Sequence, residues 1–501
     1  MSCVLGIDLG TSSVKVVLFD AESAHSMAHA QVEYPVHKPR PNEAVQSPEA
    51  WWDATVTAIQ QVLEQAHGRS PVAIGLSGQM HGTVLLGRDG AVLHPAIIWA
   101  DQRSAQEAHD LPLLLGEERT LQQTGTLPSA GFMGSTLYWI QRHQPSLLEH
   151  AHAFLLPKDY IRFRLTGEIG TDFTDGAGTG LLDIRQRVWA TPIIEAIGLS
   201  VDRFPTLHAS EQVVGTVLPS VARLLGLGDG VQVVAGVADQ VAQALGNGLI
   251  HQGQVSVTVG SGGQVFAPLH LTDQQADVRL HLFNHAVPNT HYALGAILSA
   301  GLSLRWLRNV LGLADHPQAY ALLSDEAAQV AVGADGLFFL PHLSGERTPH
   351  MDPLARGGFI GLTHYHQRGH MARAVMEGVT FALRQALELV EGLAQPSDRI
   401  VIAGGASESA VWRQIQADVF ARPLQQSMLH EQTVVGASLL GGVGAGLYRN
   451  FDEAIQSVAQ YDAPTLPHAP HVRAYEAHYQ EFCQLYPLLR HTFARMTTPP
   501  A

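Results

Sequence analysis

Alternating apolar and polar positions open the chain. Val4, Ile7 and Leu9 mark an apolar strand, Gly10-Thr11-Ser12-Ser13 turns it, and residues 14–19 return, which predicts a β-hairpin. Ser47-Pro48-Glu49 then carries the marks of a helix start: a cap residue, proline at the first helical position and an acid in the first turn. Residues 72–76 read as a strand running into Ser77-Gly78-Gln79-Met80-His81-Gly82. Short apolar strands alternate with helical stretches thereafter, the pattern of an α/β protein. Halfway along, Val255, Val257 and Val259 alternate with polar residues, Gly260-Ser261-Gly262-Gly263 turns, and residues 264–267 return. The two strand–turn–strand units fit a duplicated two-lobed chain or two unrelated glycine-rich hairpins equally well. On the first view a boundary near 245–252 gives lobes of residues 1–247 and 248–501. Further on, Val375, Val379, Leu383, Ala386 and Val390 share one face of a helix over 371–390. A strand over 400–403 ends in Gly404-Gly405-Ala406, and residues 407–420 read as a helix. A proline-rich run over 463–470 leads to a final helix anchored by Tyr475, Tyr479, Phe482 and Leu489.

Composition narrows the class. With 46% hydrophobic and 15% charged residues over 501 positions, the chain is globular, with room for two or three domains. Its formal charge of −15 and the lack of any Lys/Arg run argue against nucleic acid as a partner. Cys3 and Cys483 lie near opposite ends and offer neither a disulfide framework nor a metal pair, which fits a reducing cytoplasm. The first ten residues lack a basic n-region and reach Asp8 too early for a signal peptide. The most apolar stretch, 231–250, is interrupted by Asp239, Gln240, Gln243 and Asn247, so no membrane span is expected. The 27 histidines are scattered without metal-ligand spacing. The chain has just three lysines, Lys15, Lys38 and Lys158, and no GxxxxGK[ST], so P-loop chemistry is excluded. GxGxxG, GxSxG and HExxH are also missing, which counts against a dinucleotide fingerprint, a serine hydrolase and a zincin.

Three small-residue turns remain: Gly10–Ser13 in the first hairpin, Gly260–Gly263 in the second and Gly404-Gly405-Ala406 after the later strand. Glycine lets backbone approach a ligand closely, and successive N–H groups form a concavity for anions. Any one turn alone is explained by tight packing. Three together, with no P-loop, point to a nucleotide held by loops of both lobes. Two acids are candidates for the chemistry. Asp8, inside the first strand, can hold Mg²⁺ directly or through water, or it is a buried acid paired with a partner not visible in the sequence. Asp239 follows an apolar strand over 233–237 and precedes a helical run over 241–245. Its local pattern taken alone favours a helix N-cap.

Asp8-Leu9-Gly10-Thr11-Ser12-Ser13 with Lys15, the turn at Gly260, and Gly404-Gly405-Ala406 resemble the phosphate and adenosine loops of the actin/hexokinase-like ATPases. Within that superfamily the chain resembles the FGGY carbohydrate kinases. A family signature fits Gly357-Gly358-Phe359-Ile360-Gly361-Leu362, resuming as His370-Met371-Ala372-Arg373-Ala374-Val375-Met376-Glu377. The segments Gly78-Gln79-Met80-His81-Gly82, Ile98-Trp99-Ala100-Asp101, Leu156-Pro157-Lys158-Asp159-Tyr160 and Leu343-Ser344-Gly345-Glu346-Arg347-Thr348-Pro349-His350 are most similar to the members that phosphorylate D-xylulose.

The resemblance implies a two-lobed actin/hexokinase (ribonuclease H-like) ATPase fold with a duplicated core and a central cleft. It implies ATP and Mg²⁺ as cofactors, D-xylulose as substrate, a cytoplasmic location and a homodimer. Asp239 matches the family's catalytic aspartate, and Asp8 would hold the metal. Met80, His81 and Gln240 match sugar-contacting positions, with Trp99 and Asp101 completing that pocket. Gly10, Thr11, Ser12, Gly260, Ser261 and Gly262 would face the phosphates. Gly404, Gly405, Ala406 and Ser409 fall at adenosine positions, and Trp306 would line the same pocket. Three departures stand out: Gln240 where many members carry Asn, Ser261 where Thr is frequent, and Thr136 where a second signature has Lys. The Gln240 departure leaves kinases of ribulose, fructose or glycerol as rivals. A non-catalytic sugar or nucleotide sensor on the same fold is the rival from another class.

Overall fold

The structure, a computed structural model, describes residues 2–272 and 276–497. The opening hairpin is β1 (Cys3–Leu9) and β2 (Ser13–Asp20), paired antiparallel with Asp8 opposite Lys15, and β3 (His25–Glu33) continues the meander. Helix α1 (Pro48–Gln65) starts as its sequence predicts: the Ser47 hydroxyl accepts the Ala50 N–H at 3.4 Å, and Pro48 fills a first-turn position that needs no donor. Trp51, Ala58, Ile59 and Val62 form its buried face, packed on β2 and β3. Strand β4 (Pro71–Gly78) lies parallel to β1. After α2 (Pro157–Thr166) and α3 (Phe173–Gly178), strands β5 (Val213–Thr216), β6 (Gln232–Val234) and β7 (Val237–Ala238) complete a seven-stranded sheet among the described residues. Its order is β5-β6-β4-β1-β2-β3, with β7 against the end of β4. The single strand expected over 233–237 is therefore two. At Ala235 and Gly236 the backbone leaves the ladder, and their N–H groups bond the carbonyls of Gln212 and Ser210.

Helix α4 (Asp239–Gly246) leads into the second sheet. There β8 (Ser256–Val259), β9 (Gly263–Leu269), β10 (His281–Asn284) and β11 (His291–Ile297) precede α5 (Gly301–Val310) and the long α6 (Arg368–Leu393). Strand β12 (Ile400–Ala403), helix α7 (Ala410–Phe420), strand β13 (Leu424–Gln426) and helices α8 (Gln432–Gly444) and α9 (Ala469–Thr497) follow. The strand order is β10-β11-β9-β8-β12-β13. In both sheets a central strand, β1 or β8, has an antiparallel meander on one side and parallel neighbours on the other. This is the duplicated two-lobed α/β architecture of the actin/hexokinase-like ATPases. The helix expected over 407–420 begins later, because a tight turn over Gly405–Glu408 intervenes and the Ser409 hydroxyl caps the new start at Trp412 N–H. Among the described residues no helix is long and apolar enough to cross a membrane.

Helix α8 joins the two halves. Its whole middle, Val434 to Gly442, is buried, and it packs on β1, β4 and α4 at once. That triple contact is possible because glycines remove side chains at the crossing points. A Cβ on Gly75 would lie 1.8 Å from the Ala437 carbonyl oxygen, and one on Gly436 would lie 1.9 Å from the Ala242 carbonyl oxygen. Alanine in place of a helical glycine ordinarily stabilises by about 0.5–1 kcal/mol. Here the steric term reverses the sign, since close-packed backbones have nowhere to move. Gly436→Ala is expected to lower Tm, whereas Gly392→Ala, whose Cβ would meet open space in the last turn of α6, raises it slightly. Calorimetry on both variants checks the pair, and a Tm for Gly436→Ala at or above the parent would refute close packing at this crossing.

Candidate active site

A cavity of about 220 Å³ lies between the lobes. From the first lobe Thr11, Met80, His81, Trp99, Phe132, Asp239 and Gln240 line it. The second lobe contributes Gln264 on β9, His281 and Phe283 on β10, Leu294 and Ala296 on β11, and Arg347. A larger recess of about 340 Å³ around Leu249, Arg399 and Tyr461 has a single acid, Asp398, in its lining. Asp239 lines the smaller one, and the charge of Asp8 bears on it.

Asp8 and Asp239 reach this cleft because of strand register. Asp8 is one residue from the end of β1, opposite Ser77 of β4, and Ala238 at the end of β7 lies opposite Gly78 of the same strand. Two acids are thereby held at the carboxyl ends of strands flanking β4. Asp239 is not the N-cap its local sequence favours. It is the first residue of α4, and its Oδ1 accepts only the adjacent Gln240 N–H at 2.7 Å. The preceding residue is pinned instead, with the Ala238 N–H donating to Thr174 Oγ1 at 2.8 Å. Burial, and next the negative charge of Asp8, raise the Asp239 carboxyl to about 7. Burial raises Asp8 to about 6 against the pull of Lys15, whose ammonium pairs with Glu431 at 2.5 Å. Asp8 Oδ1 is buried with no hydrogen-bond partner. An oxygen-only, doubly acidic site with an orphaned carboxylate oxygen fits a hard divalent cation such as Mg²⁺.

The backbone of the first two turns is arranged alike. In the first, the carbonyls of Gly10, Thr11 and Ser12 accept from Tyr34 Oη, Gln46 Nε2 and the Tyr34 N–H. In the second, the carbonyl of Gly260 accepts from Gly301 N–H, that of Ser261 from Ala300 and Leu302 N–H, and that of Gly262 from Gly260 N–H. The N–H groups of Thr11, Ser12, Ser261 and Gly262 are left without a protein acceptor among the described residues, which makes two donor nests. The third turn lies beside the second, because β12 is parallel to β8 and a Cβ on Gly404 would sit 2.4 Å from the Val259 carbonyl oxygen. Gly404 also has φ +84°, so glycine is required there twice over. Gly405 is exposed, Ala406 is buried, and Ser409 Oγ lies 3.0 Å from Ser324 Oγ. Trp306, on α5, is half-buried and stacks on Phe339 at 6.0 Å. It stands on the helix whose first turn the second nest receives, away from the 220 Å³ cavity.

His81 is the most constrained side chain of the pocket. Its φ of +72° and the Gly82 N–H to Met80 carbonyl bond of 2.9 Å define a γ-turn, an uncommon conformation for a side-chain-bearing residue. The ring lies on Phe132 with centroids 4.0 Å apart. Its Nδ1–H donates to the Gly178 carbonyl at 2.5 Å, so Nε2 is the free acceptor. Burial lowers this histidine to about 4, so it is neutral at pH 7. Met80 is buried beside Gly178, and Trp99, 47% exposed, donates from Nε1 to Thr11 Oγ1 at 2.9 Å, tying the pocket to the first turn.

Asp101 requires a correction. It was expected to bind a sugar hydroxyl, but it is fully buried and absent from the cavity lining. Its oxygens are committed to Ala44 N–H at 2.6 Å and to a two-pronged contact with Arg103 at 2.9 and 2.8 Å. Sequence reasoning also missed Phe132, Gln264, His281, Phe283 and Arg347. His281 and Phe283 are two apart on β10 and so share a face, a signal visible only once the strand is recognised. Arg347 lies inside the 343–350 segment that carries the resemblance but has no assigned role there.

Comparison with known proteins agrees with this architecture. The N-terminal domain of the FGGY family of carbohydrate kinases matches residues 3–246, and its C-terminal domain matches residues 255–445. The xylulose kinase of Escherichia coli (strain K12) is 36% identical over 483 residues, 96% of this chain and 98% of the relative. That of Bacillus subtilis (strain 168) is 33% identical over 97% of each. The crystal structure of xylulose kinase from Rhodospirillum rubrum superposes with a TM-score of 0.92 at 29% identity, covering 98% of this chain and 100% of that one. The chain belongs to the FGGY family of carbohydrate kinases.

Proposed function

We propose that this carbohydrate kinase transfers the γ-phosphoryl group of ATP to the terminal hydroxyl of D-xylulose, giving D-xylulose 5-phosphate and ADP. The observation that carries the reading is the Asp239 carboxyl, raised to about 7 and free of any cation, at the wall of a sugar-sized cavity beside two donor nests. Near-full-length similarity to xylulose kinases supports the choice of sugar. A cytoplasmic location follows from the use of ATP.

The residues divide the work. Asp239 takes the proton of the attacking hydroxyl as the O–P bond forms and the bond to the β-phosphate oxygen breaks. A base near 7 suits this task, since about half of it is ionised at pH 7 and it is still basic enough to accept a proton. His81 Nε2 accepts from a sugar hydroxyl, Gln240 lies next to the base, and Met80 and Trp99 give the carbon chain an apolar surface. The nests at Thr11–Ser12 and Ser261–Gly262 receive phosphate oxygens, with Gly10 and Gly260 shaping the turns. Gly404, Gly405, Ala406 and Ser409 receive the nucleoside, and Trp306 flanks it. Asp8 would hold Mg²⁺, which when bound offsets charge on the phosphates. Phosphoryl transfer needs alignment and charge stabilisation more than covalent chemistry, and the site supplies both.

Release of ADP from Mg·ATP, measured with D-xylulose, L-xylulose, D-ribulose, L-ribulose, D-fructose, glycerol and no sugar, tests the substrate. The highest kcat/KM is expected for D-xylulose. Preference for another sugar would overturn the pocket reading, and no stimulation by any would leave a sensor.

Asp239→Asn should lower kcat by about 10²–10⁴-fold. It should also raise Tm above pH 7. The wild-type carboxyl binds its proton more tightly folded than unfolded, so its ionisation removes stability as pH rises from about 4 to about 7. Asparagine escapes that loss, and its advantage vanishes near pH 4. For the wild type, kcat/KM falls with unit slope below about pH 7. Near-normal turnover by the variant would sink the base assignment.

His81→Ala is expected to raise KM for the sugar about tenfold, the worth of one hydrogen bond, and to leave KM for ATP unchanged. Loss of ATP affinity instead would show the pocket to be misplaced.

A further inference from the structure

Away from the cleft, one acid and two histidines come together: Asp418, His468 and His471. A carboxylate oxygen or ring nitrogen from each lies within 4.8 Å of those of the other two. None of the three lines the cavity between the lobes. The sequence conceals the group, because the acid stands 50 positions before the first histidine.

Two helix ends make the cluster. Asp418 is in the last turn of α7, which packs on α9. His468 directly precedes α9, its carbonyl accepting the Val472 N–H at 3.0 Å, and His471 follows three positions on, so the two histidines share a face. Their ring centroids are 5.1 Å apart, with the planes at 73°. Asp418 is 2% exposed, and its neighbours aim the carboxylate. Its Oδ1 accepts from the His468 N–H at 2.7 Å and from Gln414 Nε2 at 2.9 Å, while Oδ2 accepts from His471 Nδ1 at 2.9 Å. Gln414 is itself held, donating also to the Leu466 carbonyl at 3.0 Å.

A buried carboxylate ordinarily faces lysine or arginine. Here the one ion-pair partner among the described residues is His471, which is charged only when protonated. Holding down the start of α9 accounts for the His468 N–H and for the His471 contact. It does not account for the His468 ring, which is exposed, makes no hydrogen bond among the described residues and stands beside the other two groups. Tetrahedral zinc, with bonds of about 2.0–2.2 Å, places neighbouring ligand atoms about 3.3 Å apart. The separations here, from 2.9 Å up to 4.8 Å, span that value, and a turn of the exposed His468 ring closes the wider gap. The bonds to Oδ1 are outer contacts of the kind that orient a metal-binding carboxylate.

We propose that Asp418, His468 and His471 bind a divalent transition-metal ion of the Zn²⁺ class, which clips the start of α9 to α7. The ion takes the place of the hydrogen between His471 Nδ1 and Asp418 Oδ2, and that ring then carries its hydrogen on Nε2. His468 supplies the third ligand, and the exposed side leaves a position for water. Two imidazoles and a carboxylate suit Zn²⁺, Co²⁺ or Ni²⁺, whereas Mg²⁺ prefers oxygen alone. The site is thus chemically distinct from that of Asp8, and it stands or falls independently of which sugar is phosphorylated. Its effect is mechanical. Helix α7 opens at Ser409, beside the turn assigned to the nucleoside, and the ion holds its other end.

Zn²⁺ binding is measured by calorimetry on the full chain, free of any affinity tag, after chelator treatment and in excess Mg²⁺ to fill the acid site. One Zn²⁺ per chain is expected, with a rise in Tm, and Co²⁺ in its place gives visible d–d absorption. His468→Ala, which removes no hydrogen bond of the fold, is expected to weaken Zn²⁺ binding by at least about tenfold, to abolish the Co²⁺ band and to leave the metal-free Tm near that of the wild type. His471→Ala is expected to do the same to the metal, with some loss of metal-free Tm. A wild type that binds no Zn²⁺ under these conditions would overturn the proposal. So would undiminished binding by His468→Ala, which would assign the ion to other histidines. Should His471→Ala fail to fold, His468→Ala still decides.

Discussion

Two buried carboxylates at the ends of strands flanking β4, the charge of one bearing on the other, are the constraint on which this structure turns. Asp8 and Asp239 repel one another, and both are shielded from water, so each rises well above the ordinary carboxylate range. Left alone, such a pair would push its strands apart or turn outward to solvent. The fold prevents both. Asp8 is inside the ladder of a central strand, bonded on either side by β2 and β4. The backbone before Asp239 is anchored through Thr174 to Asp172, which in turn faces the buried ammonium of Lys158 at 3.0 Å. Lys158 is fully enclosed and touches Asp159, Asp172 and Asp175 together. Strong ion pairing behind the wall thus compensates for missing ion pairing at its surface.

The lobes are held by a different kind of force. Helix α8, encoded late in the chain, packs through glycine on the first sheet and on α4, the helix that begins with Asp239. Close backbone approach gives dense dispersion contact while asking for no particular side chain. It also means that the proposed base is mounted on the element connecting the lobes. The pocket wall opposite comes from β9, β10, β11 and the Arg347 segment, all of the second lobe. Any relative movement of the halves therefore changes the distance from the base to the far wall of the pocket, whereas the register of β1, β4 and β7 keeps Asp8 and Asp239 together. Closure on the sugar would then exclude water without disturbing the acids.

How much of this was legible in the chain depends on how local each cause is. Both hairpins, the cap at Ser47 and the strand over 400–403 were readable because alternation and turn chemistry lie within a few residues. The three turns were readable as anion sites, but the reason the N–H groups of the first two are free was not, since it depends on Tyr34, Gln46 and the start of α5 taking up the carbonyls. Asp239 was ambiguous from its neighbours, and only the register of β7 against β4 sends it to the cleft instead of capping α4. Asp101 was misread although its answer stood two positions away: Arg103 folds back on it, and the pair with the Ala44 N–H uses up the carboxylate. The second-lobe wall was invisible, because a strand contributing His281 and Phe283 to a cavity lined by residue 81 is a fact of topology alone.

The second-lobe wall also sets the polarity of the pocket. His81, Phe132, His281 and Phe283 form a group of rings in mutual contact, with both imidazoles far below their ordinary value because burial and Arg347 disfavour a second positive charge. Neutral imidazoles keep a lone pair on one nitrogen and a donor on the other, and the flat faces keep water from competing. A pocket built of charged hydroxyl-binding groups would hold water as tightly as sugar. One built of neutral rings, with the Asp239 carboxylate in its lining, meets hydroxyls with groups that can both donate and accept.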